Sequence, residues 1–128
     1  MTPVSKTAEK ILDRLTSGLA EFEAKKIDNT SGSFMPVSVE RLNGNVFSIA
    51  HYYVQNGDLM ADPEMTFLKT ALGWHPLTFT QANLGLYQEA CVLNEDQSIK
   101  GIRQRLYNDL RVFTTQWMRN IKSQQLDS

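Results

Sequence analysis

The stretch "HYYVQNGDLMADPEM", residues 51–65, gathers His51, Asp58, Asp62 and Glu64 around one glycine. An imidazole with two or three carboxylates can ligate a divalent metal, or hold a water for general-base chemistry. Either use requires the chain to double back. If the flanking strands pair, His51 on the outgoing strand lies near Asp62 or Glu64 on the return, with Asp58 overhanging them. The D-x3-D-x-E spacing lacks the regular ligand positions of a calcium loop, and no lysine stands where an E-x-K nuclease core would need one. The plainer reading is punctuation. Gln55-Asn56-Gly57-Asp58 is a turn former and Asp62-Pro63 holds an extended residue before proline, so residues 55–63 read as a loop with solvated acids. His51 alone has the ordinary reading of a histidine satisfied by a backbone group.

The elements on either side must position these groups. From Ser5 to about Lys25, Ile11, Leu12, Leu15, Leu19 and Phe22 recur at helical spacing, with Ser5 or Thr7 as cap. Residues 27–33, "IDNTSGS", read as a loop. Met35, Val37 and Val39 then alternate with polar residues up to Leu42-Asn-Gly-Asn45, and the apolar-rich run 46–54 follows, which predicts a hairpin. A two-residue turn at Asn43-Gly44 sets Val39 opposite Ser48. A three-residue loop Leu42-Asn43-Gly44, with Gly44 left-handed, sets Val39 opposite Phe47, Val37 opposite Ile49 and Met35 opposite His51, and is preferred because it collects the large apolar residues on one face.

Residues 65–69, 74–80 and 86–93 also read as strands, with Pro76 on an edge or at a strand start. Ile102, Leu106, Leu110, Phe113, Trp117 and Ile121 predict a long helix to about Lys122, after which residues 122–128 fray. The expected architecture is a single α+β domain over 1–128. It has an N-terminal helix, an antiparallel meander of about five strands and a long C-terminal helix, in two layers with one sheet face free.

That closing helix carries Lys100, Arg103, Arg105, Arg111, Arg119 and Lys122 against the single acid Asp109. At about 100° per residue, Lys100, Arg103, Arg111 and Lys122 share an arc, a basic ridge that would suit phosphates or an acidic protein surface, or simply solvent. Tyr52, Tyr53, Trp74 and Tyr87 would line the free sheet face or pack inside. His75 reads as a surface residue, Trp117 as core and Cys91 as an inert, partly buried thiol. No nucleophile elbow, phosphate-cradling glycine loop or zinc helix is present, so no catalytic residue, metal or cofactor is assigned.

Composition narrows the classes. Across 128 residues, 13 basic and 14 acidic side chains give a net charge of −1, which removes any whole-molecule argument for nucleic acid or membrane. One cysteine cannot form an intrachain bridge or a multi-thiolate zinc site, the charged N-terminus is unlike a secretion signal, and no run approaches the roughly 18 apolar residues of a membrane span. A cytoplasmic location is expected.

The segment "FSIAHYYVQNGDLMADPEMTF", with "FMPVSVERL" before it and "WMRNIKSQQ" near the end, resembles a family of small uncharacterised proteins and domains carried on bacterial plasmids and phages, most specifically in HYYxQNGDLMxDPEM. The resemblance implies accessory cargo of a mobile element and carries over no catalytic residue. The expected function is a non-enzymatic binding module that uses His51, Tyr53, Gln55, Asn56, Asp58, Asp62 and Glu64, or the basic ridge, against a macromolecule. A protein partner comes first, nucleic acid through the basic helix and a homodimer through the free sheet face stay open, and a metal-dependent hydrolase centred on His51, Asp58, Asp62 and Glu64 is the alternative.

Overall fold

The computed structural model describes residues 1–127 and begins with helix α1, Lys6–Thr16. Ser5 caps it by accepting the Ala8 N–H at 3.2 Å, and Ala8, Ile11, Leu12 and Leu15 form its buried stripe. The helix stops well short of Lys25. Gly18 turns the chain at φ 79°, Phe22 stands 76% exposed instead of extending the stripe, and Ala24–Ile27 becomes strand β1. The apolar spacing of Leu19 and Phe22 fits a helix, but the open edge of the neighbouring strand offers backbone hydrogen bonds that this segment takes: Phe22 N–H reaches Arg41 O at 2.8 Å.

Strands β2 (Val37–Arg41), β3 (Val46–Gln55), β4 (Asp58–Thr70), β5 (Gly73–Gln81) and β6 (Leu86–Glu89) follow, and the sheet runs β1-β2-β3-β4-β5-β6, antiparallel throughout. The β2–β3 register differs from both sequence expectations. Val39 lies opposite Ile49 and Arg41 opposite Phe47, because Leu42 N–H bonds Val46 O at 2.8 Å and leaves Asn43, Gly44 and Asn45 as the loop. Gly44 is left-handed as expected, at φ 59°. A slip of two positions preserves strand parity, so Val37, Val39, Phe47 and Ile49 still share one buried face.

The larger departure is after Gln55. No loop spans residues 55–63. Asn56 and Gly57, at φ 53° and 84°, make a two-residue turn with Gln55 opposite Asp58, and β4 starts at once. Positive φ at both central positions is what the right-handed twist of a tight hairpin demands, and Asn-Gly supplies it. The presumed second break, Asp62-Pro63, is instead a bulge inside β4 with a cis peptide. There the register slips between Ala50 and Tyr52, so His51 faces two residues of the partner strand, and proline's missing N–H costs no ladder bond.

Pro76 sits beside a second irregularity, where β5 has no β6 partner, since β6 pairs only with Thr78–Gln81. The expected strand 86–93 breaks at Ala90, whose N–H turns to Leu77 O at 2.7 Å. Cys91–Leu93 forms β7 and pairs with β8, Ile99–Ile102, in a small second sheet. Ile102 therefore lies on a strand, and helix α2 spans Gln104–Ile121.

Both helices pack on one face of the large sheet and against each other. Phe47 and Phe67 meet Trp74 edge-on at 5.0 and 6.4 Å between ring centroids, and the Trp74 indole N–H reaches Asp13 of α1 at 2.8 Å. His75, expected at the surface, is 1% exposed. Tyr107 of α2 donates to Thr2 O at 2.6 Å, so the His75 Nδ1–H donates to the Tyr107 oxygen at 2.9 Å and Nε2 accepts from the Thr70 hydroxyl at 2.9 Å. Burial lowers the His75 pKa, with the positive N-terminus as a second cause, and raises Tyr107 to about 12. The tail expected to fray over 122–128 is ordered in its described part, and Ser128 lies outside the described residues. Lys122–Leu126 is a π-helical turn, and Gln125 within it is fully buried.

Candidate functional site

Strand alternation sends neighbouring residues of the β3–β4 ribbon to opposite sides of the sheet, and each side carries a cleft. On the side away from the helices, the pairing aligns Lys26, Ser38, Ala50, Glu64, Thr80 and Tyr87 in one row across β1 to β6. Glu40, Ser48, Thr66, Thr78 and Glu89 form the next row. Glu64 is the focus. Its Oε2 accepts the Ser48 hydroxyl at 2.7 Å and the Tyr52 hydroxyl at 3.2 Å. Burial, then the charge of Glu64, pushes the Tyr52 phenol up to about 12, so it stays a donor at neutral pH. Beside it opens a cleft of about 430 Å³ lined by Lys26, Ser38, Glu40, Ser48, Tyr52, Leu59 and Glu64 among others.

No cation comes within ion-pair distance of Glu64 or Glu40 among the described residues. A carboxylate steadied by two hydroxyls, with its second oxygen unengaged, is an acceptor for an ammonium or guanidinium group.

The helix side holds His51 and Asp62. His51 Nδ1 lies 3.1 Å from the Pro36 carbonyl, which can only accept, so Nδ1 carries the proton. The imidazole meets Trp117 of α2 at 5.8 Å, Trp117 meets Phe113 at 5.8 Å, and Phe113 meets Phe79 at 5.3 Å. Asp62 accepts a hydrogen bond from the Gln81 side-chain amide. His51, Asp62, Phe113 and Trp117 border a cleft of about 470 Å³ whose outer wall is Ser33, Phe34 and Met35. Gln125 fastens that wall: its Oε1 accepts Asn29 N–H at 2.7 Å, and its Nε2 donates to Met35 O at 3.0 Å.

The residues singled out in the sequence are thus divided among three places. His51 and Asp62 share the helix-side cleft, Glu64 lies on the opposite face, and Gln55, Asn56 and Asp58 ring the exposed hairpin tip with half-buried Tyr53 behind them. The hydrolase constellation is not assembled, and among the described residues no three His, Cys, Asp or Glu side chains gather as metal ligands. The tight turn is the reason: with residues 58–64 in a strand, nothing overhangs.

The basic ridge also disperses. Lys100 belongs to β8, Arg103 precedes α2, the Arg111 Nε donates to Pro3 O at 2.9 Å, and Lys122 pairs with Asp127 at 3.3 Å. Cys91 is buried and its thiol is pushed up to about 11, so it is protonated at neutral pH.

Sequence reasoning missed Ser48 and Tyr52 as partners of Glu64, and Gln125 altogether. The signal for the first was available: small hydroxyl residues alternate along the strands at Ser38, Ser48, Thr66, Thr78 and Thr80, marking a polar sheet face. Nothing local marks Gln125.

A family model described as a domain of unknown function matches residues 6–126. The chain belongs to the DUF6908 family. The match takes in both helices and every strand that builds the two clefts, so the ribbon geometry lies wholly within the DUF6908 domain. No curated protein and no solved structure matches the chain. No helix among the described residues of this DUF6908 domain is long and apolar enough to cross a membrane.

Proposed function

We propose that the chain is a non-enzymatic binding module that holds a protein partner on its open sheet face. The observation that carries this reading is the juxtaposition of Glu64, an acceptor without an internal cation, with the apolar hairpin tip. Val54 and Leu59 are cross-strand partners, 69% and 70% exposed, and Leu59 borders the Glu64 cleft. An exposed apolar pair next to a carboxylate with spare capacity suits a basic side chain flanked by apolar neighbours on a partner surface.

Backbone supports the same reading. β2 pairs with β3 only at Phe47–Ala50, and β5 pairs with β4 only at Glu64–Thr70, so both outer edges of the ribbon beyond those points lack strand partners. Such edges accept an added strand. Glu40, Glu64 and Glu89 outnumber Lys26 in the two rows of this face and would disfavour phosphates, which favours protein over nucleic acid. The resemblance of residues 51–65 to proteins of plasmids and phages suggests a mobile-element accessory working in the cytoplasm on a host or element factor.

The test places a photo-crosslinking amino acid at Leu59 or, as a control, at Val112, which is equally exposed but on α2. Adducts with a discrete protein at position 59, absent at 112 and lost on Glu64→Gln, are expected. Adducts unaffected by Glu64→Gln, or equal at both positions, would overturn the reading.

A further inference from the structure

We propose that Asn56 is a self-modifying site, presented by the hairpin tip for conversion to aspartate and isoaspartate, while the fold protects the matching Asn43. The chain has two Asn-Gly pairs, Asn43-Gly44 and Asn56-Gly57, and both form tight turns. Such a pair is reactive because glycine has no Cβ to shield its nitrogen. Once the Gly57 nitrogen has given its proton to a base in solvent, it attacks Asn56 Cγ. The new N–Cγ bond closes a succinimide, and the side-chain nitrogen leaves as ammonia. Water then opens the ring, at the former side-chain carbonyl to give aspartate or at the backbone carbonyl to give isoaspartate.

The two turns hold the attacking nitrogen differently. The Gly44 N–H donates to a Glu21 carboxylate oxygen at 2.9 Å, so stripping its proton would set an anion against an anion. Arg41 donates to the Gly44 carbonyl at 2.7 Å and Gln97 to the Asn43 carbonyl at 2.6 Å, and the Gln97 side chain stands 2.5 Å from where a Cβ on Gly44 would lie. Asn43 cannot swing toward its neighbour without opening these bonds. Asn56 and Gly57, by contrast, are exposed, and among the described residues neither makes a hydrogen bond beyond the hairpin itself. A Cβ on Gly57 would meet nothing within 4 Å. β2 accompanies β3 only to Ala50 and β5 accompanies β4 only from Glu64, so the tip is a two-stranded ribbon, marginal on its own and quick to open. Isoaspartate routes the chain through Cβ, which lengthens the two-residue turn, and it leaves a new carboxylate near Val54 and Leu59.

This chemistry does not depend on what the open face binds, so either assignment can fail alone. The full chain is held in mildly alkaline buffer, folded or in strong denaturant, and aspartate and isoaspartate at both positions are followed by peptide mapping with mass spectrometry. In the folded chain Asn56 should convert about tenfold or more faster than Asn43, the scale of one or two further hydrogen bonds to open, whereas in denaturant the two rates should agree within about twofold. Glu21→Ala, at an exposed carboxylate, should speed conversion of Asn43 and leave Asn56 unchanged. Folded Asn43 converting as fast as Asn56, a difference that persists in denaturant, an Asn56 that stays intact while the denatured chain is consumed, or a Glu21→Ala chain with Asn43 no faster would each overturn the assignment.

Discussion

The two sides of the β3–β4 ribbon are built from interleaved residues of the same two strands, yet they solve different problems. On the helix side, His51, Met65 and Phe67 are buried under α2 and its neighbours, with His51 held by the Pro36 carbonyl and the Trp117 ring. On the open side, Tyr52 donates to Glu64 and the Thr66 hydroxyl pairs with that of Thr78, and all four stay half in solvent. Period-two alternation, not distance along the chain, decides which environment a residue meets. Asp62 and Glu64 straddle a bulge and so border clefts on opposite sides, although only Pro63 separates them.

Adjacent substitutions on β4 give the sharpest contrast. Met65→Ala, on the helix side with the Thr114 hydroxyl against its sulfur at 3.8 Å, should cost about 2–5 kcal/mol, the usual penalty for emptying a packed site. Thr66→Ala removes a hydroxyl paired with that of Thr78 on the open side and should cost no more than about 1 kcal/mol. Urea midpoints at constant m-value check both, and equal losses would mean that the two faces are not energetically distinct. A middle-sized effect is expected at Gln125→Ala. It leaves Asn29 N–H and Met35 O without their partner, at a cost of about 1–3 kcal/mol, and should speed amide exchange at Asn29 before any change in β3. If exchange at Asn29 is unaltered, Gln125 is not what fastens the outer wall of the helix-side cleft.

Much of the fold was legible wherever one periodic signal dominated. Leu110, Trp117 and Ile121 mark the buried stripe of α2, and the shared face of Val37, Val39, Phe47 and Ile49 survived a wrong register because the error was two residues. Legibility failed where local composition and pairing disagreed. Asp58, Asp62 and Pro63 are turn formers by type, but pairing with β3 absorbs them into a strand, one through a tight turn and two through a bulge. A loop over residues 55–63 carries no strand parity, so that reading cannot separate Glu64 from His51. Leu19 and Phe22 extended a helical spacing that Gly18 ends. His75 and Gln125 are buried by partners far away in the chain, Tyr107 and Asn29, and no local pattern encodes such meetings.

The smallest effect bears most directly on the open face. Tyr52 is held in its neutral form by burial first and by the Glu64 charge second, so its folded pKa of about 12 exceeds the unfolded value of 10.0. Between those values the unfolded chain releases the phenolic proton while the folded chain keeps it, which favours unfolding. The contribution of Tyr52 to stability is therefore complete below pH 10 and is lost as pH rises toward 12. Glu64→Gln removes the second cause and leaves the first, so the Tyr52 ionisation should move down only part of the way toward 10. Its ultraviolet phenolate signal, isolated by subtraction of a Tyr52→Phe variant, is the measurement. An unshifted titration would mean that Glu64 and Tyr52 are not electrically coupled, and the carboxylate would then lose the hydroxyl partner that leaves only one of its oxygens for a ligand.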